Sequence, residues 1–305
     1  MEFTFVLSFL NQSPKILKNP LEFSYLSSTD TPAESLKAVF LIEHPQNWEQ
    51  EICGIELRAD GKTLFHGGCD RQIVSLDEKG CKLTLWGRSD AAAVLDNEAI
   101  PQEYHNVSME EIFNQHIKPY GLENNLGATG TLPAYRVTKG MSDWEAFSRF
   151  CCWSVGRIPY VCKNKVSFFV SGRGRNVITP KTWAVKNFSH VICRDKVISQ
   201  VWMRDKSGQY RTIVQNQQAQ KLQIQRRRCL IPAPEWSYPV TDASQRLKKS
   251  MDGRVYQEIE LADLANWDIG SEVVVTIPGF YHRGNIVQRE IGFDQQRAYT
   301  RLKIE

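Results

Sequence analysis

Lys82-Leu83-Thr84-Leu85-Trp86-Gly87-Arg88-Ser89-Asp90 is the stretch on which the reading of this chain turns. Leu83 and Leu85 fall on one face and Lys82 and Thr84 on the other. That period of two predicts a half-buried strand, which stops on a small, turn-forming Gly-Arg-Ser-Asp group. Upstream, Phe65-His66-Gly67-Gly68-Cys69-Asp70 and Gln72-Ile73-Val74-Ser75-Leu76 are extended, with Asp77-Glu78-Lys79-Gly80 as the hairpin turn into Cys81–Trp86. Downstream, Ala91-Ala92-Ala93-Val94-Leu95-Asp96 leads through Pro101 to Ser108-Met109-Glu110-Glu111-Ile112-Phe113, where Ser108-x-x-Glu111 is a capping box. Lys118-Pro119-Tyr120-Gly121-Leu122 ends that helix.

Working outward, residues 1–97 read as mostly β. Met1–Leu10 is apolar but short and opens with an acid, so it is expected to be a buried first strand and not a signal peptide. Ala38–Ile42 and Ile52–Leu57 are further strands, and Asp60-Gly61 marks a tight hairpin. Residues 98–172 change to an α/β insert. Its second capping box, Ser142-x-x-Glu145, opens a helix with Trp144, Phe147, Cys151 and Val155 on its apolar face, stopped by Gly156 and Pro159. Val161-Cys162 and Val166–Val170 form a hairpin around Lys163-Asn164-Lys165. Residues 173–305 return to β, with candidate strands at 197–203, 210–215, 222–225, 272–277 and 298–304. Ser244–Met251 reads as a basic helix, and Glu258–Ala265 as a short helix or an extended entry to a strand. The expected class is mainly β with an α+β insert: a first β-barrel at 1–97, an α/β insert at 98–172 and a second barrel at 173–305. Two β regions around an insert suggest a duplicated barrel, although no repeat is visible.

Composition narrows the function. The 305 residues are 42% hydrophobic and 24% charged, enough for a packed core. Net charge is +4, from 38 basic and 34 acidic residues, too balanced to argue for nucleic acid. No apolar run is long enough to cross a bilayer, so folding in a cytoplasm is the expectation. Eight scattered cysteines without a C-x-x-C pair read as small buried residues. His190 and Cys193 have metal-ligand spacing but lack a second pair.

Chemistry is sought and not found. Asp96, Glu98 and Glu103 are the nearest approach to a glycosidase carboxylate pair, and loop acids explain them equally well. Glu110 and Glu111 belong to helix capping. Cys151 and Cys152 could imitate a thiol nucleophile but sit on a predicted helix beside Trp153. No HExxH, GxSxG or phosphate loop is present. Eight Trp and ten Tyr could stack bases, but they are spread through the predicted strands and helix faces. The run Arg226-Arg227-Arg228 and the pair Lys248-Lys249 read as solvated or ion-pairing surface, with phosphate contact as the alternative. No catalytic, cofactor or metal residue is assigned, and the expectation is a non-enzyme.

The order of these pieces resembles a family of phage tail baseplate hub proteins, including late control protein D of myophages and the hubs of Mu-like prophages. The resemblance rests on Gly67 and Asp70 (G-x-x-D), Gly87-Arg88-Ser89, Asp96, Pro119-Tyr120-Gly121, and Gly140, Ser142, Trp144 and Glu145. It covers roughly residues 35–170 and weakens beyond 173. Relatives of the same core include the N-terminal part of type VI secretion spike proteins. The resemblance implies a homotrimer of chains with two tube-type barrels each, a ring adapting a six-fold tail tube to a three-fold spike. Tail tube, baseplate and spike proteins would be its partners, with DNA or a tape-measure protein in the lumen. Its place would be the virion tail, after assembly in the host cytoplasm. The chain ends at Glu305, so a spike is expected on a separate polypeptide. Charges at Glu56, Arg58, Arg301 and Lys303 are candidates for guarding strand edges against promiscuous pairing. A cell-wall-degrading tail enzyme and an injection-system spike hub are the alternative functions.

Overall fold

The computed structural model describes residues 2–78, 80–169, 175–232, 238–294 and 297–305. The predicted turn residue Lys79, the end of the predicted strand at Val170, and the boundary at 172/173 lie outside the described residues. Half of the chain is strand and about a fifth helix. It forms two compact units, each discontinuous in sequence: Met1–Ala93, Val170–Phe188 and Ile259–Ile304 in the first, Val94–Phe169, Ser189–Glu258 and Glu305 in the second.

The first unit is built on a curled, half-barrel sheet. Its strands run in the order Arg297–Ile304, Phe280–Asp294, Glu22–Ser28, Ser35–Ile42, Gly80–Ser89, Lys62–Asp77, Ile52–Ala59, Phe3–Phe9, Lys15–Lys18. Every adjacent pair in that run is antiparallel. Glu272–Ile277 adds to the Phe280 strand, and Arg175–Ile178 pairs parallel with it. The period-two reading of the opening stretch holds: Leu83 and Leu85 are fully buried, while Lys82, Thr84 and Trp86 are only half-buried. Phe5, Phe23, Phe40, Phe65 and Ile291 share that core. Phe5 meets Phe40 edge-on at 4.9 Å, an arrangement the ring quadrupoles favour. Asp60 and Gly61 both adopt positive φ, +46° and +80°, the backbone a two-residue hairpin requires.

The sequence reading missed Glu22–Ser28 and the fifteen-residue strand Phe280–Asp294. The latter carries His282, Arg283, Asn285, Gln288, Arg289 and Glu290, and only its neighbours reveal which face is apolar. Pairing Ile291 opposite Tyr25 places the C-terminal strands against the N-terminal ones in one sheet. The edge charges are also differently placed. Glu56 and Arg58 lie on a strand paired on both sides, to Val6 and Thr4 on one and to His66 and Thr63 on the other. Arg301 reaches Glu290 at 3.5 Å and Glu260 at 3.0 Å. Arg297–Ile304 pairs beyond the run with Val255–Leu261, so Arg301 and Lys303 also lie on an inner strand, whereas Lys15–Lys18 ends the run and carries Lys15 and Lys18, charges of the kind that discourage edge pairing.

The second unit holds both predicted capped helices, Met109–His116 and Asp143–Val155, with both capping boxes complete. Gly121 and Gly156, left-handed at φ +77° and +67°, terminate the following 3-10 turn and the second helix. Phe113 meets Phe147 edge-on at 5.6 Å between the two helices. Lys163 and Asn164 take positive φ in the predicted hairpin. A further three-stranded sheet has Gln200–Arg204 at its centre, antiparallel to Tyr210–Gln215 and parallel to Arg227–Leu230. The helix Pro239–Asp252 covers one face of it, through Ala243 and Leu247 against Val201, Met203 and Leu230. Residues 222–225, expected to be a strand, are irregular: Asn216 caps the short helix Gln217–Lys221, and Gln223 turns the chain at φ +57°. Of residues 258–265, the first four take the extended alternative, as the end of the strand Val255–Leu261, and 262–265 follow it as irregular chain.

Candidate functional site

The motif residues gather in two places, one in each unit. In the first, Gly67 pairs with Ser89, Gly68 with Arg88 and Cys69 with Gly87. The two strands approach so closely that a Cβ at Gly67 would lie 2.0 Å from the Arg88 carbonyl oxygen, and one at Gly87 2.5 Å from that of Gly68. Only glycine fits there. The register slips between Cys69 and Arg71, leaving Asp70 as the extra residue of a bulge. Its carboxylate accepts Arg88 Nε at 2.7 Å and Nη2 at 3.0 Å. The Ser89 hydroxyl accepts the Glu34 N–H at 3.0 Å, and the Ser89 N–H donates to the Glu34 carbonyl. The Gly-Arg-Ser group is therefore a corner where three strands are fastened.

In the second unit, the segment after Asp96 docks on the start of the Asp143–Val155 helix. Ala99 N–H donates to Met141 O, Asp143 N–H to Asn97 O, and Gly140 N–H to the Glu98 carboxylate at 2.7 Å. Ser142 and Glu145 cap each other's orphan groups. Pro119 and Tyr120 form a 3-10 turn closed by Gly121, and the Tyr120 hydroxyl donates to Asp143 Oδ2 at 2.5 Å. Trp144 is buried beside Phe147.

Two groupings escaped the sequence reading. Asp143 Oδ1 lies 2.7 Å from His116 Nδ1, and His116 Nε2 lies 2.9 Å from the Tyr104 hydroxyl. Both His116 and Asp143 are buried. Burial and the Asp143 carboxylate push the Tyr104 and Tyr120 phenols up to about 12. In the first unit Arg289, 4% exposed, donates to the Tyr25 and Ser27 hydroxyls, to Asn266 Oδ1 and to the Trp267 carbonyl. Tyr25 and Ser27 in turn donate to the Glu34 carboxylate at 2.7 and 2.8 Å. Desolvation pushes the Tyr25 phenol well above its usual value. The signals were faint: a mid-strand arginine, and a helix-C-terminal histidine whose partner lies 27 residues away.

The chemical candidates have structural occupations. Glu103 is ion-paired with Arg136 and Glu98 receives Gly140. Burial pushes the Cys152 thiol up to about 11 and that of Cys151 higher still, so neither is a thiolate at neutral pH. His190 Nδ1 lies 3.1 Å from Gln257 Nε2. No group of three or more His, Cys, Asp or Glu among the described residues is arranged to hold a metal. No helix among them is long and apolar enough to cross a membrane.

No protein-family model matches the chain, and no curated protein matches it. Solved structures do. A tail protein from Neisseria meningitidis superposes with a TM-score of 0.75 at 13% identity, covering 99% of this chain and 96% of that one. The 43 kDa tail protein of prophage MuSo2 from Shewanella oneidensis gives 0.74 at 13% identity, covering 100% and 98%. An Escherichia coli component of the type VI secretion system, described as structurally similar to the T4 tail proteins gp27 and gp5, gives 0.57 at 11% identity, covering 98% and 75%. The chain therefore has, over its whole length, the fold of these phage tail and injection-system proteins.

Proposed function

We propose that this protein is the structural baseplate hub of a phage or phage-derived tail, of the late control protein D type. Three chains form a ring that adapts a six-fold tail tube to a three-fold spike. The observation that carries the reading is end-to-end agreement with two tail proteins, each covered almost completely. The site supports it: the motif residues serve as strand and helix fasteners, and the thiols and carboxylates weighed for catalysis are protonated or paired. On this reading each chain contributes two tube-type barrels, the insert at 98–172 forms a separate module, and the partners are spike, tube and baseplate proteins. DNA or a tape-measure protein passes through the lumen, and the assembled protein resides in the virion tail. The likeness to the secretion component favours, as a second reading, the hub of an injection-system spike.

Sedimentation equilibrium on the purified chain, alone and mixed with a tail spike protein from the same source, tests the proposal. A trimer, formed alone or with the spike, is expected. A chain that stays monomeric with the spike and digests peptidoglycan overturns the hub reading in favour of the tail enzyme.

A further inference from the structure

Charge is unevenly placed along this chain. Residues 189–258 hold thirteen Lys and Arg against six Asp and Glu, net +7 in a chain whose total is +4. The small sheet of the second unit lies in that segment. One of its faces is covered by the helix Pro239–Asp252. Strand alternation puts Gln200, Trp202 and Arg204 on the other face. The register adds Gln215 and Arg227 opposite Gln200, and Ile213 and Cys229 opposite Trp202. Arg204, Ile213, Gln215, Arg227 and Cys229 are exposed.

This face is organised. The Trp202 indole N–H donates to Gln200 Oε1 at 3.0 Å, fixing the ring. The Arg227 guanidinium lies over that ring, 4.7 Å from its centroid. Arg226, which also lines the cleft beside this face, donates through Nη1 to the carbonyls of Arg194 and Val197 at 2.9 and 2.8 Å. Those bonds hold the chain that presents Arg227. Beside Arg227 and Gln200 opens a cleft of about 820 Å³, lined also by Ser199, Gln220, Gln223 and Gln225. The amides of Gln223 and Gln225 make no hydrogen bond to a described residue. The nearby acid, Asp205, is occupied by Ser207, the Gln209 N–H and Arg211.

We propose that this open face and its cleft bind single-stranded nucleic acid. A guanidinium backed by an indole is a platform on which bases stack, Arg204 and the surrounding positive charge face the phosphates, and the glutamine amides offer both donors and acceptors to base edges. An acidic peptide would satisfy the charge but leave the platform and the amides without work. The inference stands apart from the ring geometry proposed above, since it concerns one face of a single chain.

Fluorescence anisotropy of a labelled oligothymidylate of about twenty nucleotides, long enough for one such site, tests it on the full-length protein. Binding is expected at low salt, weakening steeply as salt rises. Trp202→Ala is expected to weaken it about ten-fold, the scale of one lost stacking contact. Arg227→Glu should weaken it at least as much while the melting temperature stays unchanged, because that side chain is exposed. The charge-matched Lys249→Glu on the covering helix should have little effect. Failure to bind at low salt overturns the proposal. So does equal competition by polyglutamate, or an equal loss from Lys249→Glu, either of which would make the face a diffuse cationic surface.

Discussion

Arg88 grips Asp70 with two parallel N–H···O bonds, 2.7 and 3.0 Å, across the bulge that interrupts the pairing of Lys62–Asp77 with Gly80–Ser89. The extra residue of the bulge turns its carboxylate to the guanidinium of the neighbouring strand. Both side chains are partly exposed, so the fork sets geometry more than stability. Asp70→Asn is expected to cost no more than about 1 kcal/mol, the range for partly solvated pairs. A denaturant midpoint shift several times larger would show that the bulge depends on the ion pair.

The glycines beside that fork differ sharply. A Cβ at Gly67 would strike backbone atoms at 2.0, 2.6 and 2.7 Å, whereas one at Gly68 meets only the Cys53 carbonyl at 3.9 Å. Gly67→Ala is expected to destabilise by about 3 kcal/mol, the upper range for overpacking. Gly68→Ala should be close to neutral. Urea unfolding of the two variants checks the contrast, and equal effects would disprove the close approach.

Arg289 is the hub of a buried polar network and its removal should be severe. Arg289→Ala removes the donor shared by Tyr25, Ser27, Asn266 and the Trp267 carbonyl, leaving the Glu34 carboxylate with only the two hydroxyls, and is expected to cost about 3–5 kcal/mol, as for other broken buried charge networks. Trp144→Ala, which empties space beside Phe147 in the second unit, is expected to cost a similar ~3–5 kcal/mol. Calorimetry can separate them, since the first substitution lies in one compact unit and the second in the other.

Alkaline pH should unfold the protein through groups held protonated by burial. Cys152 rises from 9.0 to about 11, and Tyr104, Tyr120 and Tyr299 from 10.0 to about 12. Each pKa is higher in the folded state, so the folded chain binds these protons more tightly than the unfolded one. The stability they confer is complete below the unfolded values and is lost as pH climbs through the folded ones. The melting temperature should therefore fall between about pH 9 and 12. At pH 8, dithionitrobenzoate should modify the exposed Cys53 and Cys229 rapidly and Cys151 only on unfolding. Rapid reaction of Cys151 in the folded protein would contradict its burial.

The legible parts of this fold were those with short-range causes. Ser108 with Glu111, Ser142 with Glu145, Asp60-Gly61 and the alternation through Leu83 and Leu85 act within a few residues. Their hydrogen bonds and φ values are set by side chains written beside them. Gly67 and Asp70 could be singled out from sequence, but why they are Gly and Asp could not. The clash and the bulge exist only when Arg88 and Ser89 are brought alongside. The Glu34–Tyr25–Arg289 network was invisible for the same reason, as Tyr25 and Arg289 are 264 residues apart.

The β-rich class, the two capped helices, their stops and the tight hairpins follow from local sequence, because each depends on interactions that close within one turn or one hairpin. The tertiary structure alone decided that the C-terminal strands complete the N-terminal sheet, that Lys15–Lys18 and not Ile52–Ala59 is an edge, and that Arg227 meets Trp202. Those outcomes depend on which apolar faces find each other across long loops. The entropy of closing such loops grows only slowly with their length, so sequence separation does little to tell one pairing from another. The burial each pairing achieves makes the choice.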